Sequence, residues 1–188
     1  GNTTGRSEQY VVVADTIAPG LDYKWTFTDD QVREYNNIYY TKGETKVKFT
    51  ITEANFDISI APILTVNAVL ENVTWTQIEG TDKWVSELTL SNNGDYLIEL
   101  TYVDHSDNVM SAYTKEVHID DVAPVFDVTY DNNDARNSNN YKADRVATIK
   151  VTEHNFKAEE VVLNVTAKDI TGATVDISSK DYAEYAKN

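Results

Sequence analysis

The chain of 188 residues contains no cysteine, only three prolines, and 16 basic against 31 acidic side chains. Without cysteine, disulfides, thiol nucleophiles and thiolate metal sites are excluded. The formal net charge of −15 repels phosphate backbones and anionic lipid headgroups, which argues against nucleic acids and membrane surfaces as partners. No apolar run approaches the roughly 18 residues that a membrane span needs. We therefore expect no membrane insertion in this segment.

Catalytic signatures are missing as well. The sequence has no glycine-rich phosphate loop and no Gly-x-Ser-x-Gly elbow. The three histidines, His105, His118 and His154, lack the spacing of zinc ligands. We predict that the chain is not an enzyme. The hydrophobic share of 41% is close to that of ordinary globular domains, which predicts a folded chain.

The most informative feature that is present is an internal repeat. Residues 15–19 (Asp-Thr-Ile-Ala-Pro) return as residues 120–124 (Asp-Asp-Val-Ala-Pro), and residues 52–56 (Thr-Glu-Ala-Asn-Phe) return as residues 152–156 (Thr-Glu-His-Asn-Phe). The two offsets are 105 and 100 positions. A unit of about a hundred residues can enclose its own core, whereas a solenoid repeat of thirty cannot. The sequence therefore predicts tandem small domains.

Short runs of alternating apolar and polar residues predict an all-β chain. The clearest strands are predicted at 45–52, 63–69, 73–78, 84–90, 95–103 and 109–119. Each has one apolar face: Val47, Phe49 and Ile51; Trp84, Leu88 and Leu90; Tyr96, Ile98, Leu100 and Tyr102; Val109, Tyr113, Val117 and Ile119. Half-buried strands at this spacing favour a β-sandwich. The Asn-x-Gly-x-Tyr segment at 92–96 has the form of a tyrosine corner, although a tyrosine that merely fills the inward face is the alternative.

These motifs resemble the bacterial Ig-like modules that occur in tandem in surface proteins of Gram-positive, often gut-dwelling, bacteria of the Firmicutes type. The resemblance rests on the Asp-x-x-Ala-Pro and Thr-Glu-x-Asn-Phe segments and on residues 94–104 (Gly-Asp-Tyr-Leu-Ile-Glu-Leu-Thr-Tyr-Val-Asp). It implies tandem immunoglobulin-like β-sandwiches, the second incomplete in this chain. Residues 1–14 would be the last strand of a preceding module, 15–119 a complete module and 120–188 a truncated one.

A truncated second module leaves a sheet edge unpaired, and unpaired edges recruit strands. We predict that residues 8–14, from the same chain or from a neighbouring chain by strand exchange, complete this sheet. The alternative is that residues 169–188, which include the weakly helical segment 180–187, fold over the open edge.

Oxygen-bearing side chains are predicted to meet at one pole of each module, because the loops that carry them follow strands of alternating direction. Carboxylate and amide oxygens are the ligands that calcium prefers. The candidate calcium ligands are Asp15, Glu53, Asn55, Asp104 and Asp107 in the first module, and Asp120, Asp121, Glu153 and Asn155 in the second. The structural alternative is that these residues accept backbone N–H bonds beside turns and hold no metal. No other cofactor is predicted.

Aromatic side chains are the candidates for partner binding, because exposed Trp and Tyr supply contact area. The candidates are Trp25, Trp75, Tyr39 and Tyr40, with packing against the core as the alternative. By analogy with surface Ig folds of Gram-positive bacteria, a covalent cross-link from Lys46 or Lys48 to an Asn of a neighbouring strand is a further candidate feature.

Three functions stay open on the sequence. The first is a non-catalytic spacer or adhesin segment on a bacterial cell surface, in contact with neighbouring Ig-like modules. The second is a module that itself binds a host protein, such as an immunoglobulin or matrix protein, or a glycan. The third is an accessory domain of a large secreted hydrolase. All three place the chain outside the cell, at the bacterial surface or secreted.

Overall fold

The computed structural model describes residues 14–131, 146–162, 167–168 and 171–175. The predicted strand at 8–14 therefore lies outside the described residues except for residue 14, and the predicted closing segment 169–188 except for residues 171–175. Within the described residues the secondary structure consists of β-strands and two short 3-10 helices, at Ile58–Ile60 and Ala158–Glu160. No helix in these ranges has the length and apolarity that a membrane crossing requires.

The chain divides into two compact units, residues 1–124 and 125–188. Between residues 14 and 124 the first unit contains ten strands: β1 (Gly20–Phe27), β2 (Arg33–Tyr35), β3 (Ile38–Thr41), β4 (Thr45–Thr52), β5 (Ile63–Val66), β6 (Val69–Leu70), β7 (Thr76–Gln77), β8 (Lys83–Leu90), β9 (Gly94–Thr101) and β10 (Tyr113–Ile119). One sheet has the order β1-β4-β8-β7 and the other β2-β3-β10-β9-β5-β6. All pairs are antiparallel except β3 with β10, which run parallel.

The core of the first unit lies between the inward faces of these two sheets. Strand β4 contributes Val47, Phe49 and Ile51, which are fully buried, and the opposite sheet contributes Ile98 and Leu100 among others. Alternation with a period of two puts these apolar side chains on one face of each strand and polar side chains on the other. Burying each such side chain stabilises the fold by roughly 1.5–3 kcal/mol. The all-β, sandwich-like architecture predicted from the sequence is confirmed.

The strand boundaries differ from the prediction in a few places. Strands β1 to β3 were not among the predicted ones, and the predicted strand at 73–78 is reduced to Thr76–Gln77. Val109, which was placed on the apolar face of the last strand, is exposed, because β10 begins only at Tyr113 and Val109 forms an isolated bridge with Val103. The tyrosine corner is confirmed, since the Tyr96 hydroxyl donates to the Asn92 carbonyl at 2.8 Å.

The second unit contains β11 (Val125–Tyr130), β12 (Ala147–Thr152), β13 (Ala167–Lys168) and β14 (Thr174–Val175). Strands β11 and β12 form an antiparallel pair with the register Phe126↔Val151 and Val128↔Ile149. Strands β1 and β4 of the first unit pair in the same way at the corresponding positions, with Leu21↔Ile51 and Tyr23↔Phe49. The apolar side chains of β11 and β12 are exposed, whereas those of β4 are buried.

Candidate functional site

Three carboxylates converge at one pole of the first unit. Oxygen atoms of Asp15, Glu53 and Asp104 all lie within 4.8 Å of one another. Glu53 and Asp104 are each only 4% exposed. Glu53 stands two positions after the buried Ile51, and Asp104 two positions after the buried Tyr102, so both continue the inward-facing series of their strands beyond the strand ends. The alternation of inward and outward side chains that builds the core therefore also places these two acidic side chains at the edge of the core.

Each carboxylate accepts backbone N–H groups of its own loop. The Asp15 Oδ1 accepts from the Ile17 amide at 3.0 Å, and the Glu53 Oε1 accepts from the Asn55 amide at 2.7 Å. The Asp104 Oδ1 accepts from the backbone amides two and four residues further on, at 2.8 and 2.9 Å. These are local turn-stabilising bonds of the kind that Asp and Glu beside turns commonly make.

Two asparagine amides connect these turns to one another. The Asn55 side chain donates to the Asp15 Oδ2 at 2.7 Å. The Asn108 side chain donates to the Asp104 Oδ2 at 2.8 Å and to the Asp15 carbonyl at 3.3 Å. The segment that leads into β1 is thereby tied to the loop after β4 and to the loop between β9 and β10. We call this set, Asp15, Glu53, Asn55, Asp104 and Asn108, the polar lock.

The pKa values of the two buried carboxylates of the polar lock are shifted in opposite directions. Burial raises the pKa of Glu53, and the nearby charges of Asp15 and Asp104 raise it further against the lowering effect of the Asn55 amide. Burial would also raise the pKa of Asp104, but the hydrogen bonds from Asn108 and Ser106 outweigh it and hold that pKa below its usual value. Glu53 is thus the member of the lock whose charge is least well compensated.

The structure brings together four of the five residues predicted as calcium ligands in the first module. Asp107 does not belong to the group: its side chain is exposed, and its backbone adopts the left-handed region with φ of 63°. Asn108, which sequence reasoning did not single out, takes its place as a bridging residue. Three carboxylates with neighbouring amide oxygens have the donor chemistry that calcium takes, so calcium binding at this pole stays a prediction.

The candidates of the second module are divided between the two compact units. Asp120 and Asp121 fall in the first unit, Glu153 and Asn155 in the second. The local turns nevertheless match those of the first module: the Asp120 Oδ1 accepts from the Val122 amide at 2.9 Å, and the Glu153 Oε1 accepts from the Asn155 amide at 3.2 Å. The repeat in sequence is thus accompanied by a repeat in local hydrogen bonding.

Three of the aromatic candidates for partner binding, Trp75, Trp25 and Tyr39, belong to the core or pack against it. Trp75 is only 3% exposed and so has almost no surface to offer a partner. Trp25 is partly buried and donates its Nε1–H to the Tyr113 hydroxyl at 3.1 Å. Tyr39 packs edge-on against Trp25, and Tyr40 packs edge-on against His118. Trp75 also contacts the Phe56 ring, so all four take part in aromatic contacts within the first unit.

The predicted cross-link from Lys46 or Lys48 draws attention to where the lysines lie. The Lys46 Nζ lies on the surface, 3.4 Å from Glu44 and 3.9 Å from Glu87. Among the lysines that the structure describes, the buried one is instead Lys115, which is 7% exposed. Alternation along β10 could have revealed it, because Lys115 stands between the inward-facing residues Tyr113 and Val117.

The arrangement at the pole can hold backbone segments together and can offer oxygens to a cation. It contains neither a nucleophile paired with a base nor a general acid and base across a cleft, among the residues that the structure describes. Comparison of the chain with models of protein families, with curated proteins and with solved structures found no match in any of the three.

Proposed function

We propose that the chain is a non-catalytic segment of an extracellular bacterial surface protein, built from tandem Ig-like modules that space or present a binding region. The strand order of the first unit supports the Ig-like assignment. Its four-stranded sheet corresponds to the A-B-E-D sheet of immunoglobulin domains, and β5, β9 and β10 correspond to the C, F and G strands of the other. The tyrosine corner at Tyr96 agrees with this topology.

The main support for a tandem arrangement is that the first two long strands of each repeat pair in the same register. The pairs Leu21↔Ile51 and Phe126↔Val151 stand at matching positions of the two sequence repeats. Each pair is followed by the same Glu-to-amide turn and then by a 3-10 helix, at Ile58–Ile60 and at Ala158–Glu160. Agreement in sequence, pairing and turn supports two copies of one module.

The spacer role is supported by the distribution of aromatic side chains. A binding surface generally presents a contiguous apolar patch with aromatic anchors. Among the described residues of the first unit, the exposed aromatic side chains are Tyr23 and Tyr35, and the Tyr23 ring packs at a tilt against Tyr113. A module that exposes so few aromatic rings fits the role of a connecting element better than that of a receptor.

The experiment that tests this proposal is display of the chain between a cell-wall anchor and a reporter epitope. A spacer should make the epitope more accessible to antibody than an unstructured linker of similar extended length does, and the isolated chain should show no saturable binding on arrays of host proteins and glycans. Saturable binding that is lost in Tyr35→Ser but kept in Thr114→Ser would replace the spacer by the host-ligand-binding module. Hydrolase activity that depends on this segment in a larger protein would favour the accessory domain.

A further inference from the structure

Lys115 is a buried cation in an otherwise apolar series. It occupies an inward position of β10, next to Tyr113 and Val117, and is 7% exposed. Long charged side chains are almost never buried to this degree without specific partners. The groups that contact its amine therefore determine how the charge is accommodated.

The sheet register fixes which groups meet the amine. Strands β3 and β10 run parallel with the pair Glu116↔Ile38, so Lys115 stands beside Asn37, one residue before β3. Asn37 is the second residue of the two-residue turn between β2 and β3, where it and Asn36 have φ of 63° and 50°. Its position is thus set both by a tight turn and by the neighbouring strand.

Three groups surround the Lys115 nitrogen. The Nζ donates to the Glu34 Oε1 at 2.6 Å and to the Asn37 Oδ1 at 2.9 Å. The ring of Tyr39 covers the nitrogen, with its centroid at 3.9 Å. Because a carbonyl bond is about 1.2 Å long, the Asn37 Cγ lies within about 4 Å of the amine. A small side-chain rotation would bring the two atoms to the roughly 3–3.5 Å of a near-attack geometry.

We propose that Lys115 and Asn37 form an intramolecular amide bond, with Glu34 as the proton carrier. Glu34 takes a proton from the Lys115 ammonium, and the free amine attacks the Asn37 Cγ. The new C–N bond forms, Glu34 passes its proton to Nδ2, and the bond from Cγ to Nδ2 breaks so that ammonia leaves. Glu34 then takes the second proton from the new amide nitrogen and passes it to the ammonia. One ammonium and one carboxamide thus become one secondary amide and one ammonium ion, without an oxidant or other co-reactant.

The surroundings suit this reaction. A carboxylate that is hydrogen-bonded to an amine can act as base and then as acid. The pairing of β3 with β10 holds Asn37 beside Lys115, which replaces an encounter in solution. A groove of about 490 Å³ is lined by Asn37 and Lys115 together with Tyr23 and Tyr113, which gives the released ammonia a path to solvent. The bond would join residues that are 78 positions apart and so restrict the unfolded chain.

The decisive measurement is the intact mass of the folded 188-residue chain. We expect a mass that is lower than that of the sequence by one ammonia molecule, and a tryptic product in which residues 34–42 are joined to residues 84–136 through the uncut Lys115. Cyclisation at the Asn93-Gly94 step would remove the same mass, but it would leave these two peptides separate.

Three variants serve as controls. Lys115→Arg keeps the charge but cannot form the bond, Glu34→Gln removes the proton carrier, and Asn37→Gly removes the carboxamide while suiting the left-handed backbone of the turn. All three should show the unmodified mass, and Asn37→Gly should melt roughly 10 °C below the wild type. A wild-type chain that is folded by circular dichroism and keeps the full mass after days of incubation would overturn the proposal and leave an ion pair.

Discussion

Glu53 carries its charge at the rim of the core, where two other carboxylates converge. Its carboxylate accepts a hydrogen bond from the Asn55 backbone amide at 2.7 Å. This bond stabilises the turn but does little to neutralise the charge. Burial and the like charges of Asp15 and Asp104 raise its pKa. Glu53 therefore contributes to the loop geometry at a cost in electrostatic energy that depends on pH.

This cost predicts that Glu53→Gln stabilises the protein at pH 7, by on the order of 1 kcal/mol. The glutamine oxygen still accepts the Asn55 amide, but the charge is gone. Because the pKa of Glu53 is raised in the folded state, its protonation favours folding below the unfolded value of 4.5, and this contribution is lost as pH rises through the folded pKa. The gain from the substitution should therefore be larger at pH 7 than at pH 4.5.

Urea unfolding of wild type and variant at these two pH values measures the difference. Glu79→Gln, at an exposed turn, is the matched control and should change stability by less than about 0.5 kcal/mol. Equal stability of the wild type and Glu53→Gln at pH 7 would show that the Glu53 charge is already compensated.

Calcium would compensate the same charge in a different way. If the three carboxylates bind calcium, the folded state gains about 2.7 kcal/mol at a calcium concentration a hundred times the dissociation constant, and the melting temperature rises accordingly. The measurement is thermal unfolding in calcium and in chelator, for wild type and for Glu53→Gln. A rise seen only in the wild type is expected for a metal site. Identical melting temperatures in calcium and chelator would leave the polar lock as a purely hydrogen-bonded cap.

At the scale of the element, β9 is positioned by a connection at its start. The Tyr96 hydroxyl reaches back to the Asn92 carbonyl at 2.8 Å and holds the turn between β8 and β9, which belong to different sheets. A single hydrogen bond of this kind contributes about 0.5–1.5 kcal/mol. The contribution matters because β9 pairs with both β5 and β10 and carries Ile98 and Leu100 into the core.

We predict that Tyr96→Phe destabilises the protein by about 1 kcal/mol without loss of the fold, because only the hydroxyl is removed. The measurement is the urea midpoint at constant slope. Tyr23→Phe, at an exposed position of β1, is the control and should be close to neutral. A neutral Tyr96→Phe would mean that the ring, and not its hydrogen bond, secures this connection.

The alternation of apolar residues predicted the long strands β4, β8 and β9 and the burial of Val47, Phe49 and Ile51, because period-two patterns follow directly from strand geometry. Strands β2 and β3 are too short for such a pattern, and their position depends on pairing with β10. The Asp15, Glu53 and Asp104 cluster could be predicted from loop positions alone. The bridging role of Asn108 and the partners of Lys115 could not, since they depend on side-chain contacts between distant segments.

At the scale of the whole molecule, the first unit encloses a core whose described members lie between Leu21 and Ile119. A domain of this size can fold by itself. We predict that residues 14–124 expressed alone unfold in one cooperative urea transition, with a midpoint within about 0.3 M of that of the corresponding transition in the full chain. Circular dichroism and tryptophan fluorescence measure it. A fragment that stays unfolded would show that the first unit needs the rest of the chain.

The parallel pairing of β3 and β10 has a mechanical consequence. The early strand and the last strand of the first unit lie side by side with their directions aligned, over the residues from Ile38 to Thr41 and from Glu116 to Ile119. A pull on the two ends of the unit therefore drags these strands past each other along their length, so that the cross-strand bonds are sheared together and do not open one after another. Such loading resists tension far better than unzipping does, which would suit the spacer role that we propose.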